Sequence, residues 1–346
     1  MTDTAAFGSP APATLWRSSE RPLSEFRRTL PANDLDDLLE AARRCAAAER
    51  PATDLTATDL PVGPLAGFLD ELRSELIDGS GFVLLDGVPV HDQPLAVTEC
   101  VFWGIGLQLG TAVSQSVMGE RLGHVRDMTK GDPHARAYRN RSELTPHSDP
   151  ADILSFLCIN PSASGGVSRF VSSATIHETI RSERPDLLER LYRGYRYHRL
   201  GEFRPGSGPV TDHRVPVFSV HESLVSCRYV RQYIEVAADE FDDISLDALD
   251  REAFELLESL AADPSLHHQF TMQSGEAVFA NNFTVLHARS SFQDAEGQPP
   301  RHLLRLWLST DPKRPVTPNI LHYDGEPGIP AVAGRMPSYE TSVEVQ

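Results

Sequence analysis

The chain has 346 residues and carries 32 Lys and Arg against 49 Asp and Glu, a formal charge of −17. That charge disfavours nucleic acid and anionic membranes as general partners, because both need a positive face. With 40% hydrophobic residues the composition is that of an ordinary globular protein, and no apolar run approaches the roughly 18 residues of a membrane span.

The first 13 residues are small and polar, with neither a basic start nor an apolar signal core. They are expected to be disordered, with residues 14–346 forming one domain, and nothing in them argues for export; a cytoplasmic location is expected. "LDDLLEAARRCAAAE" predicts an amphipathic helix through Leu35, Leu38, Leu39 and Ala42. "GPLAGFLDELRSELIDGSG" predicts a second helix, ended by Gly79 and Gly81, and "FVLLDGVPV" a strand with a turn at Asp86-Gly87. A third helix is predicted over residues 93–109.

From about residue 111 the texture changes. Short β-like runs alternate with Gly, Pro and Asp: "AVSQSVM", "ADILSFLCI", "SRFVSSA", "VPVFSV", "LVSCRYV", "EAVFANNFTVLHA" and "RHLLRLWLS". Many short strands with turn signals point to a sandwich or jelly roll. Two helices interrupt them, "SATIHETIRSERPDLLERLY" and "LDALDREAFELLESLAAD". The tail after Asp311 is rich in Pro and Gly and is expected to wrap the surface in extended form. The fold class is therefore α+β, mainly β: a jelly-roll core with flanking N-terminal helices and a helical insertion. Cys45, Cys100, Cys158 and Cys227 lie far apart with no C-x-x-C pair, which removes support for a zinc ribbon or a thioredoxin-type site.

Two His-x-Asp motifs occur, His147-Ser-Asp149 and His322-Tyr-Asp324. With 13 His and 49 acidic residues chance alone gives roughly two such matches, so the motif needs support. In an extended chain residues i and i+2 face one side, so His147 and Asp149 can converge on one ion. A non-haem Fe(II) site needs one further His from a downstream strand. His322 has too little chain after it to supply that strand, whereas His147 has His287, in "NNFTVLHARSSF". Taken alone, His287 reads more readily as a core or surface histidine on a strand. Arg301 and Arg305 stand four apart in a segment otherwise apolar on both faces. Burying a guanidinium is costly unless an anion meets it, and its planar fork suits the carboxylates of a dicarboxylate cosubstrate. A structural ion pair with one of the 49 acidic residues is the competing reading.

The ordered set "GFVLLDGVPV", "LGHVRDM", "TPHSDPADILSFLCINPSASGGVSRFVSSATI", "RPDLLERLY", "NNFTVLHARSSF" and "RHLLRLWLSTDPKRP" resembles the TauD/TfdA family of Fe(II)- and 2-oxoglutarate-dependent dioxygenases, in its clavaminate-synthase-like branch. The likeness covers about residues 65–316. It implies a double-stranded β-helix, with His147, Asp149 and His287 as the iron ligands. It places Arg301, fourteen residues after His287, on the C5 carboxylate of 2-oxoglutarate. Ser168 stands where the family often has a Thr bonding that carboxylate, and Arg305 matches the second family arginine. The loop between His287 and Arg301 has the clavaminate-type spacing and leaves open which arginine binds which carboxylate.

The resemblance further implies that Fe(II), 2-oxoglutarate and O2 together oxidise a C–H bond of a small molecule, releasing succinate and CO2. Desaturation or cyclisation are alternatives to hydroxylation. A non-catalytic jelly-roll binder would show a broken triad or missing arginines, and a zinc hydrolase would leave Arg301 and Ser168 without a task. Substrate contacts are expected in the irregular stretch before the ligand strand, with Gln115, Arg126 and Asn140 as candidates, and at Phe203 on a lid. Trp307 is expected in the core. A composition rich in Ala, Arg and Asp, of the kind actinomycete chains have, favours a tailoring enzyme of secondary metabolism over taurine use. The reading leaves room for a homo-oligomer.

Overall fold

Apolar residues two apart on one strand share a face, and that alternation builds the layers of the computed structural model, which describes residues 7–127, 140–323 and 325–334. Phe82 and Leu84 join Val278, Ala280 and Leu303 in the core between two sheets. Their neighbours Val83 and Leu85 join Ala277, Phe279, Leu304, Leu306 and Leu308 on the opposite face, under the N-terminal helices. Each fully buried Leu or Phe of this kind contributes about 1.5–3 kcal/mol.

The larger sheet has seven strands. Its order is Arg27–Thr29, Phe82–Asp86, Ala277–Asn281, Ile153–Asn160, His302–Ser309 and Thr111–Ala112, with Leu122–Val125 also paired to His302–Ser309. The smaller sheet runs His267–Phe270, Ser168–Ser172, Val285–Arg289, Leu144–His147. Helices Asp36–Ala47, Ala66–Ile77 and Leu95–Leu109 cover the outer face of the larger sheet. The first buries Leu38, Ala41, Ala42 and Cys45, a single helical stripe. Helices Ser173–Glu183, Pro185–Arg193, Arg231–Glu240 and Ala248–Ala261 pack on the outer face of the smaller sheet, where Val171 and Leu286 meet them. The result is a jelly-roll arrangement of two sheets between two helical layers.

Five local features depart from the sequence reading. The "SATIHETIRSERPDLLERLY" helix is two helices, because Pro185 offers no N–H and Arg184 takes φ −140°, ψ 65°. "AVSQSVM" is strand only at Thr111–Ala112; beyond it Gln115 and Ser116 turn inward instead of extending the ladder. The helix Arg231–Glu240 and the edge strand His267–Phe270 were not foreseen. Disorder does not extend over residues 7–13: Phe7 is buried and packs on Tyr192 at 5.1 Å between ring centroids. In the described part of the tail, Ile329 N donates to Ser114 O (2.9 Å) and Val332 N to Val117 O (2.7 Å); residues 324 and 335–346 lie outside the described residues.

Candidate metal centre

The inner face of His302–Ser309 and the residue before it is set by period two: Arg301, Leu303, Arg305 and Trp307 all point between the sheets. The same rule puts His287 and Arg289 on the inner face of Val285–Arg289. Antiparallel pairing sets His287 opposite His147 on one side and Phe170 on the other. Thus His147, Asp149, His287, Ser168, Arg301 and Arg305, the sites expected from sequence, line one cavity.

Ligand atoms of His147, Asp149 and His287 lie within 4.8 Å of one another, the one such trio among the described residues. His287 Nε2 stands 3.7 Å from Asp149 Oδ2. Metal–ligand bonds of about 2.0–2.2 Å place neighbouring ligand atoms roughly 3–4 Å apart, a range that the His287–Asp149 pair meets. His147 Nδ1 lies 2.8 Å from the Thr145 carbonyl, which can only accept; Nδ1 therefore donates there, which leaves Nε2 as the ring atom to face an ion. Burial, then the His147 ring, push the His287 pKa down to about 3, so its imidazole is neutral and ligating. Burial works to raise the Asp149 pKa, but His287, Arg305, His147 and the Trp307 N–H outweigh it and hold the group below the usual carboxylate range. Two imidazoles and one carboxylate form the donor set of a non-haem Fe(II) site, with positions left for a cosubstrate.

Asp149 is held by three hydrogen bonds, and the residue before it by a fourth. Trp307 Nε1 donates to Oδ2 (2.9 Å), and the Asp149 backbone N donates to Asn282 Oδ1 (3.0 Å). Arg228 donates through Nη1 to the Asp149 carbonyl. Ser148 N donates to the Tyr229 carbonyl at 2.9 Å. Trp307 does pack in the core, against Leu154 and Tyr323, and its N–H also orients the carboxylate.

Arg301 is 5% exposed and makes no ion pair among the described residues; its Nη1 is buried without a hydrogen-bond partner. Gly165 and Gly166, both at positive φ (68° and 64°), form the turn beside it: a Cβ at Gly165 would strike the Ser291 carbonyl and one at Gly166 the Ser162 hydroxyl, with Arg301 Nε 3.4 Å away. Burial lowers the Arg301 pKa. Arg301 and Arg289 both lie on the Phe292 ring, at 4.9 Å and 5.0 Å from its centroid. A cation–π contact contributes about 0.5–2 kcal/mol, whereas desolvating a guanidinium costs several kcal/mol, so the ring alone does not offset the burial. Burial, then Arg301, push the Arg289 pKa down to about 10. Arg305 is oriented differently: its Nε donates to Gln115 Oε1 (2.6 Å) and its guanidinium covers Trp307 at 4.7 Å.

The expected substrate residues are not brought to this cavity. Gln115 is 1% exposed and holds Arg305, with Nε2 donating to the Arg305 and Arg121 carbonyls (2.9 and 3.0 Å). Arg126 bonds His302 Nδ1 at 3.1 Å. Asn140 caps its own turn, accepting from Ser142 N at 3.0 Å. Phe203 is half-buried in the 200–207 loop, off the cavity wall. His322 is 1% exposed, packed among Tyr197, Tyr233 and Tyr323, and belongs to no ligand cluster; Asp324 lies outside the described residues. The residue that sequence reasoning missed is Arg289. Its signal was present: it stands two residues after His287 on the same strand.

No helix among the described residues is long and apolar enough to cross a membrane. A family model described as "Taurine catabolism dioxygenase TauD, TfdA family" matches residues 50–307. The FR-33289 synthase of Streptomyces rubellomurinus is 29% identical over 308 residues, covering 86% of this chain and 89% of its own. The taurine hydroxylase-like protein SAT17 of Stachybotrys chartarum is 25% identical over 248 residues, covering 68% of this chain and 62% of its own. Among solved structures, an asparagine oxygenase with Fe(II), (2S,3S)-3-hydroxyasparagine and succinate superposes with a TM-score of 0.64 at 17% identity, over 82% of this chain and 93% of its own. The non-heme iron oxygenase OrfP with Fe and alpha-ketoglutaric acid superposes with a TM-score of 0.59 at 15% identity, over 82% and 93%. The fold, the ligand trio and a family match over most of the chain agree: this protein belongs to the TauD/TfdA family of Fe(II)- and 2-oxoglutarate-dependent dioxygenases.

Proposed function

We propose that the chain hydroxylates a C–H bond of a small molecule in a tailoring step of secondary metabolism, with His147, Asp149 and His287 as the iron ligands. Bound Fe(II) and 2-oxoglutarate supply the oxidising chemistry: O2 is consumed, 2-oxoglutarate leaves as succinate and CO2, and one oxygen atom enters the product. Arg301 and Ser168 receive the distal carboxylate of the cosubstrate. Arg305, braced by Gln115, faces the metal side of the cavity and stabilises negative charge there. Phe156, Phe170 and Leu303 wall the cavity and exclude water, which strengthens each of these charge interactions. Asp149 keeps one metal position filled by carboxylate, so halide has no vacated site and the product carries oxygen.

The observation that carries this reading is a buried Arg301 with no ion pair among the described residues, on the wall that also holds three converging ligand atoms. A zinc hydrolase would not use that arginine. The hydroxylated amino acid in the asparagine oxygenase structure and the biosynthetic relative support a small-molecule substrate. The test is a metabolite library, weighted to free amino acids and cyclic peptides, screened for succinate release and followed by mass spectrometry under 18O2 in chloride-rich buffer. Substrate-dependent succinate with 18O in the product supports the proposal. A chlorinated product, or a desaturated one without oxygen, overturns hydroxylation.

A further inference from the structure

We infer that Arg289 is a second guanidinium for the distal carboxylate of 2-oxoglutarate, acting with Arg301 and Ser168 to select a dicarboxylate. The inference rests on the function proposed above. Antiparallel pairing places Arg289 directly opposite Ser168, and the next pair, Ser290 N to the Val167 carbonyl at 3.0 Å, pins that register. Directly opposed residues put their side chains side by side on one face, here the cavity face. Arg301 reaches the same place from the other sheet, because both guanidinium groups lie against the Phe292 ring.

Asp294 is a carboxylate that acts on this corner: it accepts from the Arg301 backbone N (2.9 Å) and lies 3.9 Å from Arg141 Nη2, without an ion pair to the Arg289 or Arg301 guanidinium. Neither Arg289 nor Arg301 forms an ion pair with a carboxylate among the described residues, although both are nine-tenths or more buried. Arg289 Nη2 donates to the carbonyls of Asn140 (3.0 Å) and Ser142, which fixes one edge of its fork. Its Nε, on another edge, is buried with no hydrogen-bond partner. Arg301 Nη1 is in the same condition. Two like charges with inward N–H groups and an adjacent hydroxyl match the lone pairs of one carboxylate, which accepts several charge-assisted hydrogen bonds. The metal trio lines the same cavity, so an oxo acid chelated there can present its far end to this corner. Arg289 would also tie cosubstrate binding to the 140–142 segment, which leads into the strand carrying His147.

The test is anaerobic calorimetry on the Fe(II)-loaded full chain with two probes: 2-oxoglutarate and 2-oxopentanoate, which has the same chain length without the terminal carboxylate. The wild type should prefer 2-oxoglutarate. In Arg289→Gln that preference should fall about tenfold or more, roughly 1.4 kcal/mol, while 2-oxopentanoate binding and Fe(II) affinity stay within about twofold. Equal weakening of both probes would assign Arg289 to the Asn140 and Ser142 carbonyls alone and overturn the inference. An unchanged preference would do the same. Should the Gln variant not fold, Arg289→Lys decides: it keeps the charge and loses the fork, so the preference should drop about threefold or more, and an unaltered preference refutes the assignment. Wild-type protein that binds iron but neither oxo acid would refute the proposed function itself, a result separable from failure at Arg289 alone.

Discussion

Trp307→Phe removes the indole N–H that reaches Asp149 and shrinks the ring that Arg305 covers, while keeping an aromatic group in the core. The ring stays in the cluster of Val117, Ala151, Leu154 and Tyr323, but the 2.9 Å bond from Nε1 to Asp149 Oδ2 is gone. A hydrogen bond to a charged acceptor is worth about 1.5–3 kcal/mol, and outer partners of metal ligands typically carry ~10–100-fold in metal affinity. Asp149 keeps its backbone anchors at Asn282 and Arg228, so its loop stays placed while the carboxylate gains rotational freedom. The expected loss in Fe(II) affinity is therefore near the middle of that range, about 30-fold, or ~2 kcal/mol. The assay is anaerobic Fe(II) titration by calorimetry, with Leu154→Ala as a control from the same cluster that does not touch Asp149. Leu154→Ala should lower the melting temperature and leave metal affinity unchanged. Equal metal affinities for wild type and Trp307→Phe would refute an orienting role and leave Trp307 as packing only.

Arg301→Ala should raise the 2-oxoglutarate dissociation constant tenfold or more, about 1.4 kcal/mol, with a smaller effect at Arg305→Ala, whose guanidinium is shared with Gln115; equal small effects in calorimetry would show the assignment is wrong. His322→Ala should lower the melting temperature, because a fully packed ring is lost, yet retain one iron per chain by metal analysis; loss of an equivalent of iron would contradict the choice of His147-x-Asp149. Burial pushes His177 down to about 4 and His287 and His302 down to about 3, against roughly 6.5 in the unfolded chain. The unfolded chain then takes up protons first. Their neutral forms are accommodated fully above pH ~6.5, and stability declines as pH falls below it, by up to about 1.4 kcal/mol per group per unit. Melting temperatures of the metal-free protein from pH 7.5 to 5 should fall accordingly, and a flat profile would contradict the burial of these rings.

The parts of the site that were legible in the sequence are those governed by strand period. His147 and Asp149, two apart, and Arg301 and Arg305, four apart, each face one side, and the structure puts all four on the cavity wall. Arg289 obeys the same rule, two residues after His287 on one strand, but a single arginine at a strand end carries no spacing signal of its own. Asn282 and the Trp307 N–H were illegible for a different reason. Their partner Asp149 is 133 and 158 residues away, and no local pattern states which side chains a fold will bring together. Gln115 shows the reverse failure: an amide in an irregular stretch suggested a substrate contact, and the fold uses it to brace Arg305. The helix break at Pro185 was readable from the missing N–H and was passed over in favour of the apolar periodicity around it.

The central claim is that one cavity joins a His147–Asp149–His287 iron site to an arginine-held 2-oxoglutarate. Visible spectroscopy under anaerobic conditions tests it most directly, because a weak charge-transfer band appears only when the oxo acid chelates Fe(II). Wild-type protein with one equivalent of Fe(II) should develop the band on titration with 2-oxoglutarate and saturate at one equivalent. Asp149→Ala should weaken or abolish the band, and Arg301→Ala should need at least about tenfold more 2-oxoglutarate to reach it. Iron that binds without a band, or a band whose midpoint is the same in Arg301→Ala as in the wild type, would contradict the account.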